Sequence, residues 1–240
     1  MNLWNEEAET FAEHWTAFSA PARLAVADAL GLGAGDRVLD AGCGSGPFCA
    51  LALARGARVS GIDAAPAMIA LAGRHAPDAD LCVGPLDRLP WADGTFDAVT
   101  GFNSLQFADD PVAALREWAR VTRPGGAIAV CVWGPRAECQ YDSFLDVIRP
   151  APPRPRFCER LVETIDAAGL TMRAHESVSV PFEVPDRERL EQALAFDARG
   201  ADMPEAEALT AMLDAAEAFR RPDGSYRFEN TFRYAISGQP

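Results

Sequence analysis

The residues of this chain whose types and spacing point to chemistry begin at Val38-Leu39-Asp40-Ala41-Gly42-Cys43-Gly44-Ser45-Gly46. An apolar run ends in an acid and passes into alternating glycines. Glycine permits a sharp turn and leaves bare backbone for a ligand to lie against. A second acid, Asp63, ends the next apolar run, Ala57 to Asp63. It falls about 20 residues further on, where a carboxylate can take both hydroxyls of a ribose. Together the two features imply an adenosine-type ligand at the switch point of an α/β sheet.

The glycine spacing narrows the ligand. A dinucleotide fingerprint counted from Gly42 and Gly44 needs a third glycine at position 47, which is Pro47. Asp40 would also stand beside a pyrophosphate, where a second anion is unfavourable. A nucleoside that carries positive charge and no phosphate reverses that logic. S-adenosylmethionine (SAM), with an ammonium and a sulfonium, is such a molecule.

Several elements are needed to hold these residues. Asn5 to Phe18 reads as an amphipathic helix with Phe11, Trp15 and Phe18 on one face, and a second helix starts at Ser19-Ala20-Pro21. Strands are expected at 37–40, 57–63, 81–83, 96–102 and 127–133, with helices over about 48–55, 66–75 and from 110. The third of these helices carries Val112, Leu115, Trp118 and Ala119 inward and stops at Arg123-Pro124-Gly125-Gly126. The alternation predicts an α/β fold, a doubly wound, Rossmann-like, mostly parallel sheet. Beyond Gly134 a proline-rich loop leads to a helix over about 157–168. A strand over about 172–184, two helical stretches (187–198 and 204–220) and a closing strand over 226–236 follow.

Composition excludes several functions. All 22 basic residues are arginine, so a Schiff-base lysine, a phosphate-loop lysine and a kinase lysine are absent. The net charge of -13 argues against a nucleic-acid substrate. The six cysteines form no C-x-x-C pair and only three histidines are present, so no metal site is expected and the thiols should be reduced and mostly buried. No apolar run approaches a membrane span of about 20 residues. The N-terminus lacks a signal-peptide pattern, so a cytoplasmic location is expected.

At the residues already quoted the chain resembles the class I SAM-dependent methyltransferases, of the group that includes the ubiquinone/menaquinone methylases. The resemblance runs from about Trp4 to Trp133 and returns weakly at Gly224 to Phe228. It rests on an ordered set: the glycine turn, then Gly61-Ile62-Asp63-Ala64-Ala65-Pro66-Ala67-Met68, then Leu89-Pro90-Trp91-Ala92-Asp93-Gly94-Thr95-Phe96-Asp97, then Arg123-Pro124-Gly125-Gly126.

The resemblance implies a seven-stranded sheet with an antiparallel last strand and helical cap insertions. One domain would divide into lid helices (1–34), a SAM-binding core (35–134), cap insertions with an outer strand (135–225) and a final strand (226–240). It also implies roles. Gly42, Cys43 and Gly44 line the methionine part of SAM through their backbone, Gly46 belongs to the same cofactor-binding turn, and Asp40 orients the amino group of SAM. Asp63 holds the ribose, Ala64 and Met68 pack on adenine, and the backbone of Phe102 or Asn103 accepts from the ammonium. Relatives often carry an acid where this chain has Pro85, so Leu86 N–H and Asp87 are the substitutes at adenine. Trp15, Asn103, Gln106, Phe107, Trp133 and Tyr141 are expected to line the acceptor space. His14 and Gln106 are the candidates for a catalytic role. Asp97 reads as structural, and His75 and His175 likewise.

The implied reaction is methyl transfer from SAM to a small-molecule acceptor, a secondary metabolite or quinone-like ring, by in-line displacement, leaving S-adenosylhomocysteine. A SAM-binding protein that transfers no methyl, a cyclase or a regulatory module, stays open, and a nicotinamide oxidoreductase is a remote alternative. No nucleic-acid or membrane partner is expected, and a homodimer is open.

Overall fold

The computed structural model describes residues 4, 5, 8, 9, 12, 16–148 and 156–240. Nine strands are present among them: β1 (Arg37–Ala41), β2 (Arg58–Asp63), β3 (Asp80–Val83), β4 (Phe96–Phe102), β5 (Thr122–Trp133), β6 (Thr171–Ser179), β7 (Phe182–Val184), β8 (Tyr226–Phe228) and β9 (Thr231–Gly238). Seven form one sheet in the order β3-β2-β1-β4-β5-β9-β6. β9 runs antiparallel to both its neighbours, and β1 to β5 are parallel. The sheet is thus mostly parallel with an antiparallel last strand.

Consecutive residues of the inner strands are buried on opposite faces. Val38 and Ala98 join one apolar cluster with Ala27, Phe48 and Cys49, whereas Leu39 and Val99 join another with Leu115, Trp118 and Leu161. Helices therefore cover both faces, as a parallel sheet requires. On one side lie α1 (Ala20–Ala29), α2 (Pro47–Ala54) and α3 (Pro66–His75). On the other lie α4 (Pro111–Val121) and α6 (Leu161–Ala167). Asp110 caps α4, accepting from Val112 N at 2.9 Å and Ala113 N at 3.0 Å. The inward face of α4 is Ala114, Leu115, Trp118 and Val121. Val112 and Ala119, expected inward, are only half-buried.

Three expected boundaries shift. β5 begins at Thr122, so Arg123 to Gly126 bulge out of a strand that pairs Phe96 with Thr122 and Ala98 with Ala127. The expected strands 172–184 and 226–236 each break in two, at Val180-Pro181 and at Glu229-Asn230. Pro181 cannot donate to a ladder. Asn230 replaces the ladder there: its carbonyl accepts from Val180 N at 2.8 Å, and its side chain accepts from Tyr141 N at 3.0 Å and donates to Phe228 O at 3.0 Å. The freed halves pair as the ribbon β7-β8.

That ribbon packs with α5 (Asp142–Ile148), α7 (Arg187–Arg199) and α8 (Glu205–Ala216) into an aromatic cap around Phe144, Phe182, Tyr226 and Phe228. α5 lies inside the stretch read as loop. Of the first helix, Trp4, Asn5, Ala8, Glu9 and Ala12 are helical; His14 and Trp15 lie outside the described residues. No helix of the described residues is long and apolar enough to cross a membrane.

Candidate active site at the carboxyl ends of the strands

β1 delivers Asp40 and the glycine turn to the crevice between β2 and β4. The turn is fastened to β2 by Gly42 N and Cys43 N, which both donate to Ile62 O at 2.8 and 3.0 Å. Ser104 Oγ closes the other side, donating to Ala41 O at 2.7 Å. Gly42 has φ +77°, and a Cβ there would stand 2.2 Å from Ser104 Cβ. A Cβ on Gly46 would meet Ala72 at 3.0 Å. These two glycines are required by protein packing. Gly44 differs: φ is +53° and a Cβ would meet nothing within 4 Å, so bare backbone faces open space only there among the three.

Asp63 holds that open edge. Its carboxylate accepts from Gly44 N at 2.9 Å through Oδ2 and from Ala65 N at 2.9 Å through Oδ1. Burial raises its pKa, and the two N–H groups oppose the rise. Each oxygen keeps a lone pair for a further donor such as a ribose hydroxyl. Ala64, next to it in sequence, and Asp87 are exposed, and Leu86 is half-buried with its carbonyl taken by Trp118 Nε1 at 3.0 Å. Met68 is buried beneath Ala8 and Ala12 of the first helix.

Deeper in the crevice Asp40 is 2% exposed. Thr100 Oγ1 donates to its Oδ1 at 2.9 Å, and Cys49 Sγ stands 4.0 Å from its Oδ2. Burial pushes its carboxyl up to about 7, against the pull of the Thr100 bond and of Arg23. Arg23 itself is 7% exposed, on the inward face of α1 with Val26 and Ala27. Its guanidinium donates to Ser19 Oγ and to Thr16 O, both at 2.5 Å. Burial lowers its pKa, and Asp40 opposes the drop. Arg23 and Thr100 are the site residues that sequence reasoning missed. Their signal was a charge at i relative to apolar i+3 and i+4 on α1, and a hydroxyl inside an apolar strand.

Beyond β4 the chain turns at Asn103, with φ +49°. Asn103 N donates to Cys131 O at 2.7 Å, and its Oδ1 accepts from Trp133 N at 3.0 Å. The Asn103 amide therefore caps the end of β5, while Phe102 is half-buried against Phe48. Gln106 follows on a short 3-10 turn (Leu105–Phe107), and its Oε1 is buried with no hydrogen-bond partner. Phe107 is 62% exposed and meets Trp4 edge-on at 5.7 Å; Trp4 also lies 6.0 Å from Phe196 of α7. Trp133 is half-buried among Phe18, Phe232 and Tyr141. Tyr141 is 3% exposed, and its hydroxyl donates to Asp197 of α7 at 2.7 Å.

Asp40, Gly44, Asp63, Ala64 and Asn103 thus lie at or just beyond the carboxyl ends of the neighbouring strands β1, β2 and β4, with Gln106 and Phe107 on the turn that follows β4. Asp97 lies at the opposite, amino end of the sheet. There burial works to raise its pKa, but the hydrogen bonds of Arg37 and Arg123 outweigh it and hold the carboxyl well below the usual range. It borders a cleft of about 410 Å³ with Asp36, Arg123 and Arg173, remote from the glycine turn. His75 is tied to the back of the turn, its Nδ1 2.8 Å from Ser45 O, and His175 is exposed on β6.

Comparison with known proteins bears on this geometry. A family model described as a methyltransferase domain matches residues 39–130. The chain is similar to a demethylmenaquinone methyltransferase of Beutenbergia cavernae, 36% identical over 65% of this chain and 70% of that relative. It matches a malonyl-[acyl-carrier protein] O-methyltransferase of Serratia marcescens at 38% identity over 41% of this chain and 40% of that one. Among solved structures, the YcgJ protein of Bacillus subtilis superposes with a TM-score of 0.63 at 18% identity, covering 91% of this chain and 98% of that chain. The cyclase SpnF superposes with a TM-score of 0.61 at 22% identity, over 91% of this chain and 80% of that one. Both share the fold.

Proposed function

This chain belongs to the SAM-dependent methyltransferases of the ubiquinone/menaquinone-like group, and from that premise we propose that it methylates a small, neutral, largely aromatic acceptor at the mouth of the glycine crevice. The residues present suit the donor. Gly44 leaves backbone facing open space, Asp63 offers spare lone pairs at the exposed edge, and Asp40 is a buried acid suited to an ammonium. When bound, SAM supplies a methyl group already activated on a sulfonium. What remains for the protein is to orient, desolvate and exclude water, and orientation alone can contribute about 7–11 kcal/mol.

One observation carries the acceptor assignment: Gln106 Oε1 is buried and unpartnered on the turn after β4. An orphaned acceptor of this kind costs about 1–3 kcal/mol unless a donor arrives. A phenolic or enolic hydroxyl, or an N–H, on a ring stacked along Phe107, Trp4 and Phe196 would supply it. The cap argues against an acidic carrier protein as acceptor. Residues 187–217 hold eight acids against three arginines, so a protein rich in negative charge would be repelled.

The test incubates the full chain with methyl-labelled SAM and, separately, a naphthohydroquinone kept reduced, a simple phenol and a malonylated carrier protein. Label on an aromatic acceptor is the expected result. Gln106→Ala should lower that turnover about tenfold or more, a loss of about 1.4 kcal/mol, with affinity for S-adenosylhomocysteine unchanged. Label on the carrier protein alone would contradict the proposal. Tight S-adenosylhomocysteine binding without transfer to any acceptor would favour a SAM-binding protein that transfers no methyl.

A further inference from the structure

We propose that the cleft at the amino ends of β4, β5 and β6 is a second ligand site, one that takes a small monocarboxylate with an apolar body. It lies at the end of the sheet opposite the glycine turn, and it holds or fails independently of the methyltransferase reading.

The cleft measures about 410 Å³, and small-molecule sites span about 300–1,000 Å³. Two irregularities of the sheet open onto it. In β5, residues 123–126 bulge between the pairs Phe96–Thr122 and Ala98–Ala127. In β6, Met172 pairs with Ser237 and Ala174 with Ile236, so Arg173 is an extra residue between consecutive pairs. A bulge re-aims a side chain, and bulges recur beside functional sites. Each of these two brings an arginine, Arg123 or Arg173, to the wall of the same cleft. Gly238 makes the room for one of them. A Cβ there would stand 2.2 Å from Arg173 Nη2, so the guanidinium rests against bare backbone.

The charges of the cleft select its ligand. Arg123 Nε donates to Asp97 Oδ1 at 2.5 Å and its Nη1 to Pro124 O at 3.1 Å, which leaves N–H donors on both terminal nitrogens. Arg173 makes one long hydrogen bond among the described residues, from Nη1 to Gly125 O at 3.4 Å, and pairs with no carboxylate there. Asp97 is shared by Arg37 and Arg123, and Asp36 Oδ2 accepts from Gly33 N at 2.9 Å. Arg37, Arg123 and Arg173 against Asp36 and Asp97 leave one positive charge, in a chain whose net charge is -13. One negative charge balances that surplus. A phosphate dianion would overshoot it beside two aspartates. The planar fork of a guanidinium matches a carboxylate through parallel N–H···O bonds. The remaining wall includes Leu30, Leu32, Ala127, Ala174 and Ile236, which suits a hydrocarbon or aromatic body rather than a bare inorganic ion.

The experiment follows the backbone amide signals of the full chain by nuclear magnetic resonance as phenylacetate is added. Phenylacetamide, acetate and inorganic phosphate are titrated in parallel. Phenylacetate should shift Gly125, Gly126 and Ala174 and leave residues 42–46 and 103–107 in place. Phenylacetamide keeps the body and loses the charge, and acetate keeps the charge and loses the body. Each should bind at least about tenfold more weakly than phenylacetate. Arg173→Gln should weaken phenylacetate binding by about tenfold or more, with an unchanged melting temperature, because Arg173 is exposed on an edge strand. Shifts centred on 42–46 or 103–107 would overturn the inference, as would equal binding of the neutral amide or tighter binding of phosphate. No shift at millimolar phenylacetate, or a folded Arg173→Gln chain that binds it normally, would overturn it as well. If that variant does not fold, the comparison of ligands on the wild type decides.

Discussion

At the scale of single residues, Asp40 carries opposing demands. Its carboxyl titrates near 7 in the folded chain, against about 3.9 unfolded. A raised carboxyl binds its proton more tightly in the folded state, so its contribution to stability is complete below about pH 4 and is lost as pH rises through about 7. On the proposed reading, cofactor binding follows the reverse course, because an ammonium would pair with the ionised form. Affinity for S-adenosylhomocysteine should therefore fall as pH drops from about 8 to 6. Asp40→Asn should flatten that dependence, weaken binding at pH 8 by about tenfold or more, and raise the ligand-free melting temperature at the same pH. Unchanged affinity with an unchanged pH profile would remove Asp40 from the site. The acids themselves were legible in the sequence, since Asp40 and Asp63 sit where strands must end. Arg23 was not, because an arginine in an alanine-rich helix reads as a solvated residue until the packing of α1 is known.

At the scale of elements, the glycine turn shows what spacing reveals and what it leaves open. The pattern predicted a strand, a turn and a helix, and these are present as β1, residues 42–46 and α2. It did not distinguish glycines that face protein from the one that faces open space. Gly42→Ala should destabilise the fold, since its Cβ would overlap Ser104. Gly44→Ala should cost only the left-handed backbone strain of about 1–2 kcal/mol, yet abolish S-adenosylhomocysteine binding. Thermal melting and calorimetry on the two variants check the contrast, and a Gly44→Ala protein that binds normally would contradict it. The split of the outer strands was hidden for a different reason. Alternating residues run through 172–184 and 226–236 and only Pro181 marks the first break, whereas the second depends on a side-chain substitution of ladder bonds by Asn230 with Tyr141, 89 residues away in sequence. The cap helix α5 was equally hidden, its seven residues being too short for a periodic signal.

At the scale of the whole molecule, a sheet of ordinary methyltransferase order supports a cap that is acidic outside and aromatic inside. Tyr141 links the two, with its backbone on Asn230 and its hydroxyl on Asp197 of α7. Tyr141→Phe should cost about 0.5–1.5 kcal/mol. Hydrogen exchange should accelerate over 187–199 while β1 to β4 stay protected; uniform acceleration would show that the hydroxyl supports the global fold instead. On the proposed reading, the carboxyl ends of β1, β2 and β4 take a cationic nucleoside and not a dinucleotide. The most direct measurement is melting of the ligand-free chain against rising S-adenosylhomocysteine, with a nicotinamide dinucleotide in parallel. A concentration-dependent rise is expected with S-adenosylhomocysteine, equivalent to about 2.7 kcal/mol at a hundredfold excess over Kd, and none with the dinucleotide. A rise with the dinucleotide and none with millimolar S-adenosylhomocysteine would contradict it.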